Sequence, residues 1–295
     1  MSTTGPSVPV LAPSRRPAPV VAEVVRTQRL SPHLVRVVLG GPGLDPFEAP
    51  TCADSYVKLG FLPADVLAGC PLAADGRVDL AALRAGLPDG VQVRQRAYTV
   101  RAWDGAAREL TVDVVVHGDE GLAGPWAAAA VPGDRVLVHG PGGAWDPRTD
   151  VDAHLLVGDA SALPAVAVAL ERLPADAVGA AFVEVQGPDD ELALTAPVGV
   201  EVRWLHHGDA PVGSTLLAAV RDWPWPAGRV GAFVHGEAGA VKDLRAHLRV
   251  DHRVARGDLS ISGYWRLGAD DEGWRAGKRA WNQQIEQAEA AAGLD

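Results

Sequence analysis

The first half of the chain alternates short apolar runs with turn-forming punctuation. Val20–Arg26, Leu34–Leu39, Ser55–Phe61, Arg96–Arg101, Leu110–Val116 and Arg135–His139 are rich in Val, Leu and Tyr. Gly40-Gly41-Pro42-Gly43, Asp104-Gly105 and Pro132-Gly133-Asp134 separate them. β-Branched and aromatic runs bounded by Gly, Pro and Asp read as strands. Six of them with little helical periodicity predict a six-stranded antiparallel barrel. In Leu34–Leu39 only Arg36 is polar, so period-two alternation there is weak. Residues 62–92 form an insertion broken by Pro and Gly, with a short helix expected at Leu80–Leu83.

The pattern then changes. Leu155-Leu156-Val157 is a compact apolar strand, followed by Leu163, Val166, Ala167 and Leu170 at helical spacing. Ala181–Val185, Val200–Leu205 and Val230–Val234 predict further strands, and Val241, Leu244 and Leu248 predict another amphipathic helix. Alternating strands and helices imply a parallel, Rossmann-like sheet with right-handed crossovers. The tail from Trp274 to Leu294 reads as a helix with Trp281, Ile285 and Ala288 on one face. The boundary between the two halves is expected near Trp145–Asp152, where Gly, Pro and charge cluster. This divides the chain into a flexible arm over 1–18, a barrel over 19–148 and an α/β unit over 149–295.

Composition narrows the possibilities. The 295 residues are 47 % apolar and 22 % charged, ordinary for a globular protein. No apolar run approaches bilayer length. The N-terminal segment is interrupted by Pro6, Pro9, Pro13 and Pro17, which does not suit a secretory signal. A cytoplasmic protein without stable membrane association is therefore expected, and a monomer. The net charge of −10 opposes nonspecific nucleic-acid binding. Two cysteines, Cys52 and Cys70, are too few for a cysteine-ligated iron–sulfur cluster, and free thiols are expected. The nine histidines show no metal-binding spacing.

Five segments could carry chemistry. In Arg96-Ala97-Tyr98-Thr99 a guanidinium, a phenol ring and a hydroxyl share one strand. The guanidinium suits a pyrophosphate, the ring suits the face of an isoalloxazine, and the hydroxyl suits its N5 edge. An ordinary strand with a buried Tyr is the plainer alternative. The second segment runs from His117 through Gly121, Ala123 and Trp126, where a strand ends and an Ala-rich helix begins. Gly158-Asp159-Ala160-Ser161-Ala162-Leu163-Pro164 joins a parallel strand to its helix, the position where α/β sheets bind nucleotides. It lacks the G-x-G-x-x-G fingerprint and also reads as a plain turn. Val234–Ala240, containing Glu237, repeats that strand-to-helix arrangement, and Ser262–Arg266 sets an aromatic pair beside a cation.

With Arg29–Pro42 and Ala53–Leu59 added, the order and spacing of these segments resemble the siderophore-interacting protein family. Its members are FAD-dependent ferric-siderophore reductases of the ferredoxin-reductase-like superfamily. The resemblance implies a flavin-binding barrel followed by a nicotinamide-binding α/β domain. Arg96, Tyr98 and Thr99 match the flavin strand, and His117, Gly121, Ala123 and Trp126 the second flavin segment. Gly158, Asp159, Ala162, Leu163 and Pro164 match the start of the nicotinamide domain, and Glu237 the segment facing both cofactors. Gly124 stands where the family often has Ser, and Ala160-Ser161 replaces the commoner Glu-Thr. Lys278, Lys242, Arg266 and Arg275 are loose matches for cations that hold an anionic siderophore. The implied reaction is a relay from NADPH or NADH through FAD to the ferric siderophore, with no obligatory acid or base from the protein. Arg203, His206 and His207 are candidates to meet a 2′-phosphate. A general flavin reductase, an electron donor to a protein partner and a non-catalytic siderophore binder are the alternatives.

Overall fold

A computed structural model of the chain describes residues 17–119 and 121–294. Nearly all of the expected N-terminal arm lies outside those residues.

The first unit runs through β1 (Val20–Ser31), β2 (Leu34–Gly40), β3 (Tyr56–Phe61), α1 (Ala64–Ala68), α2 (Leu80–Gly86), β4 (Arg94–Thr99), β5 (Ala102–Asp104), β6 (Glu109–Val115), α3 (Ala123–Ala129) and β7 (Arg135–Gly142). Its strands form one antiparallel sheet in the order β4-β3-β7-β1-β2-β6-β5. The two end strands, β4 and β5, are consecutive in the chain. Between them Val100 N–H donates to Ser55 O at 2.7 Å and Arg101 N–H to Thr111 O at 2.9 Å. These bonds tie the sheet's two ends together and make it a barrel. The sheet has seven strands rather than the expected six. The extra one, β5, spans three residues and is too short to show a period.

Alternate residues of each long strand fill the barrel. Val20, Ala22 and Val24 of β1 meet Val37, Leu39, Val57, Leu59, Val112, Val114, Val136 and Val138. β2 lacks clean alternation because both its faces are covered: Leu34 points outward, yet packs in the core of the second unit with Leu163 and Val166. The 62–92 insertion lies on the outer barrel face, where Leu67, Val78 and Leu83 pack on Leu137.

The second unit comprises β8 (Ala153–Asp159), α4 (Leu163–Arg172), β9 (Val178–Val185), β10 (Gly199–His206), α5 (Ser214–Arg221), β11 (Val230–Glu237), α6 (Ala238–Ala246), β12 (Leu259–Trp265) and α7 (Asp271–Ala291). The five strands are parallel in the order β10-β9-β8-β11-β12. β8 and β11 are buried along their whole length, as expected of strands covered on both faces. The sequence pattern missed β12, because Ser260 and Ser262 interrupt its apolar positions. In α7 the buried residues are Trp274, Trp281, Ile285 and Glu289, while Ala288 is exposed, contrary to the predicted face. Glu289 is inside because Arg245 donates to it at 2.5 and 2.8 Å, a pairing that periodicity cannot reveal.

Polar contacts join the units. Asp190, in the loop after β9, accepts from Ser31 Oγ at 2.8 Å and from His33 N–H at 3.2 Å, and His33 Nδ1 lies 2.8 Å from its other oxygen. Arg101 pairs with Glu171, and Arg172 with Asp146. Strand order reverses between β8 and β11, so the crevice at their carboxyl ends is the natural ligand position of the sheet.

Candidate functional site

The carboxyl ends of β8, β11 and β12 are fastened by one carboxylate. Asp159, at the end of β8, is buried. Its Oδ1 accepts from Ser161 N–H at 2.9 Å, Ser161 Oγ at 2.5 Å and Ala162 N–H at 3.3 Å. Its Oδ2 accepts from Glu237 N–H and Trp265 Nε1, both at 2.7 Å. Burial raises the Asp159 pKa, and the bonds from Ser161 and Trp265 oppose that rise. Asp159 is thus a scaffold group that shapes the β8–α4 loop. Glu237 works in the same way, accepting from Ala240 N–H at 2.9 Å at the start of α6 and from Leu267 N–H at 3.2 Å.

The neighbouring expected positions are packed tightly. A Cβ on Gly158 would sit 2.8 Å from the Ala162 Cβ and 3.1 Å from Val166, so glycine lets α4 lie close on β8. Ala162 is buried, whereas Leu163 and Pro164 also line a cavity of about 210 Å³ between α4 and the barrel residues Arg36 and Arg101.

β4 presents the other side of the crevice. The Arg96 guanidinium donates to Glu272 at 2.8 and 3.1 Å and to Asp271 at 3.3 Å, both in the first turn of α7. Arg96 holds the Glu272 carboxyl down to about 2. Two carboxylates on this guanidinium show that it takes anionic partners in forked geometry. Tyr98 packs against the barrel core, and burial pushes its phenol pKa upward. Thr99 is buried and neighbours Tyr264 of β12, whose own pKa burial also raises. With the Arg96 contacts to α7, this brings β4 of the barrel up to the strand-end crevice of the parallel sheet. Tyr264 in turn stacks edge-on to His235, with centroids 4.9 Å apart.

The second barrel segment is only partly gathered. His117 is exposed at the end of β6, and Gly121, at φ +86°, has open space where a side chain would project. Ala123 turns its methyl into the barrel core, so only its backbone is available to a ligand. Trp126 packs edge-on to Phe61 at 5.3 Å. Gly124 lies close under Val115 O, 3.3 Å from where a Cβ would be.

Among the expected anion-holding cations, Lys278 is half-buried on α7. It donates to Ser262 Oγ at 2.9 Å and Gly263 O at 2.7 Å, and burial lowers its pKa. Arg275 is exposed and pairs with Asp271 at 3.5 Å. Arg266 is exposed three residues beyond Gly263, and Lys242 is exposed on α6. Sequence reasoning missed Asp271 and Glu272 as partners of Arg96. Acids opening a helix are ordinary capping residues, and nothing local to them points to a strand so distant in sequence. Among the described residues no group of His, Cys, Asp and Glu could hold a metal ion, both cysteines are free, and no helix is long and apolar enough to cross a membrane.

An antiparallel barrel followed by a parallel five-stranded sheet is a ferredoxin-reductase-like fold, shared with the ferredoxin reductase of carbazole 1,9a-dioxygenase at a TM-score of 0.58 and 16 % identity. Family models agree: residues 23–145 match the siderophore-interacting FAD-binding domain, and residues 151–268 match the siderophore-interacting protein model. The chain belongs to the siderophore-interacting protein family. It is 46 % identical to an uncharacterized protein of Mycobacterium tuberculosis, over 91 % of this chain and 96 % of that one. It is 33 % identical to the ferric vibriobactin reductase ViuB of Vibrio cholerae, over 87 % and 92 %. It is 31 % identical to the NADPH-dependent ferric-chelate reductase of Escherichia coli, over 82 % and 91 %. The crystal structure of a siderophore utilization protein from T. fusca superposes with a TM-score of 0.72 at 39 % identity, covering 86 % of this chain and 94 % of that one.

Proposed function

We propose that this chain is a flavoprotein reductase that uses FAD and a reduced nicotinamide nucleotide to reduce ferric siderophores in the cytoplasm. The observation that carries this is the grip of Arg96, on barrel strand β4, on Asp271 and Glu272 at the start of α7, which brings the two halves of the crevice together. FAD, when bound, accepts a hydride and passes on single electrons. Arg96 would hold its diphosphate, exchanging the carboxylates of Asp271 and Glu272 for phosphate oxygens. Tyr98 would present an aromatic face and Thr99 its hydroxyl and backbone. The open side of Gly121 lets backbone approach a ligand without a clash. The loop shaped by Asp159, with Leu163 and Pro164 at its helix start, would receive the nucleotide at the strand ends. Lys278, backed by Arg266 and Arg275, would supply positive charge for an anionic iron complex. Ferrous iron is held more weakly by hard oxygen donors than ferric iron is, so reduction favours release.

The test is anaerobic. Purified protein reconstituted with FAD should show a bound-flavin spectrum that bleaches on addition of NADH or NADPH and recovers when a ferric siderophore is added. A protein that retains no flavin would rule the proposal out. One that bleaches but never passes electrons to any ferric chelate would leave only a diaphorase.

A further inference from the structure

Resting on the nicotinamide assignment above, we infer that this chain selects the nucleotide without a 2′-phosphate, NADH rather than NADPH, through the carboxylates at the β9–β10 corner. In doubly wound sheets the strand next to the first one ends near the adenosine ribose; an acidic side chain there accepts the 2′-hydroxyl, while an arginine accommodates a 2′-phosphate. Here that neighbouring strand is β9.

Two loops build the corner, and hydrogen bonds join them. His207 N–H donates to Val185 O and Gly208 N–H to Gln186 O, each at 3.1 Å, and Gln186 Nε2 returns a bond to Gly208 O at 3.0 Å. The first loop carries Asp189 and Glu191, and the second carries Asp209, all exposed. Asp190 is turned away into its contacts with Ser31 and His33.

The three candidates for binding a 2′-phosphate are each engaged elsewhere. Arg203 pairs with Glu201 at 2.6 Å and lies over the Phe182 ring. His206 Nε2 is 2.8 Å from Glu191. His207 Nδ1 lies 3.0 Å from Gly208 O. An exposed ion pair is worth little by itself and would not stop Arg203 from turning to a phosphate. The balance of charge decides instead. The two loops of the corner carry Asp189, Glu191 and Asp209 and no lysine or arginine, and a near-dianionic phosphate entering that field is repelled. The uncharged 2′-hydroxyl is not, and finds acceptors there. The relative named for NADPH shares 31 % identity with this chain, too little to carry over the composition of one exposed corner.

Calorimetric titration of the FAD-loaded protein with NAD⁺ and NADP⁺ tests this without turnover. At low salt NADP⁺ should bind at least ~10-fold more weakly, and the gap should narrow by roughly threefold near 0.3 M salt as the repulsion is screened. Glu191→Gln removes one carboxylate and releases His206; it should narrow the gap between NADP⁺ and NAD⁺ by roughly threefold. Asp209→Asn, at an exposed turn, should act in the same direction. Equal or tighter NADP⁺ binding by the unmodified protein overturns the inference, as does a gap indifferent to both substitutions. Failure of both nucleotides to bind overturns the nicotinamide assignment along with it.

Discussion

The guanidinium of Arg96 grips the carboxylate of Glu272 through both terminal nitrogens, at 2.8 and 3.1 Å, across 176 positions of sequence. The pair joins the barrel to the first turn of α7 at the place where a flavin diphosphate is proposed to lie. Removing the competing carboxylate should favour the phosphate. Glu272→Gln is therefore expected to tighten FAD binding several-fold, and Arg96→Ala to weaken it by about 1.5–3 kcal/mol, the loss typical of a charged hydrogen-bonding partner. Fluorescence quenching of FAD on titration with apoprotein measures both. A Glu272→Gln protein that binds FAD more weakly would show that the carboxylate supports the site.

Asp159 collects bonds from three strand ends, so its loss should be felt in stability before activity. Asp159→Ala leaves Trp265 Nε1 and the Glu237 and Ser161 amides without their acceptor. The expected cost is about 3 kcal/mol or more, since each buried unsatisfied donor carries its own penalty. Urea unfolding of the variant checks it. An unchanged midpoint would mean that water replaces the carboxylate at no cost.

Gly158→Ala is expected to cost about 1–3 kcal/mol, because the added methyl meets Ala162 and Val166 in close-packed surroundings. α4 would have to move away from β8, and the β8–α4 loop with it. The variant should consequently lose nicotinamide affinity more than flavin affinity. Comparing the two dissociation constants separates this from general destabilisation.

Acid should weaken the fold through buried imidazoles. Burial, with Lys278 nearby, holds His235 down to about 3, and burial with Lys58 holds His139 down to about 4. Both folded-state values lie below the ordinary histidine range, so the unfolded chain takes up protons first as pH falls. The stability that these rings contribute is complete above about pH 6.5 and drains away between there and pH 3–4. At pH 4.5 the loss from His235 alone should be about 3 kcal/mol. In His235→Phe the slope of stability against pH over this interval should be shallower, whatever the absolute stability. An unaltered slope would place the proton uptake elsewhere.

Much of this architecture is legible in the chain. Apolar runs marked the six longer barrel strands and four of the five parallel ones, since each is buried on at least one face. β5 was too short to show a period, and in β12 Ser260 and Ser262 interrupt Leu259 and Ile261, so neither stood out. The candidate site divides similarly. Arg96, Tyr98 and Thr99 declare themselves because three unlike functional groups crowd one strand. The contribution of Asp159 was not legible: an acid after a strand looks the same whether it faces a ligand or, as here, five protein donors. The Arg96–Glu272 and Arg245–Glu289 pairs were invisible because each partner is ordinary in its own segment. His235 lay within a marked segment, but only the fold shows that its ring stacks on Phe233 at 3.9 Å and faces Tyr264.

Because one carboxylate laces together the ends of three parallel strands, the floor of the crevice behaves as a single plate. No strand tip can tilt alone to admit a large iron complex. Widening along the seam between the units would have to loosen the exposed pairs Arg101–Glu171 and Arg172–Asp146, which weaken as ionic strength rises, and also the buried Ser31–Asp190 bond and the packing of Leu34, which do not. The crevice floor is thus braced from within, and only the outer part of the border between the units answers to dissolved salt.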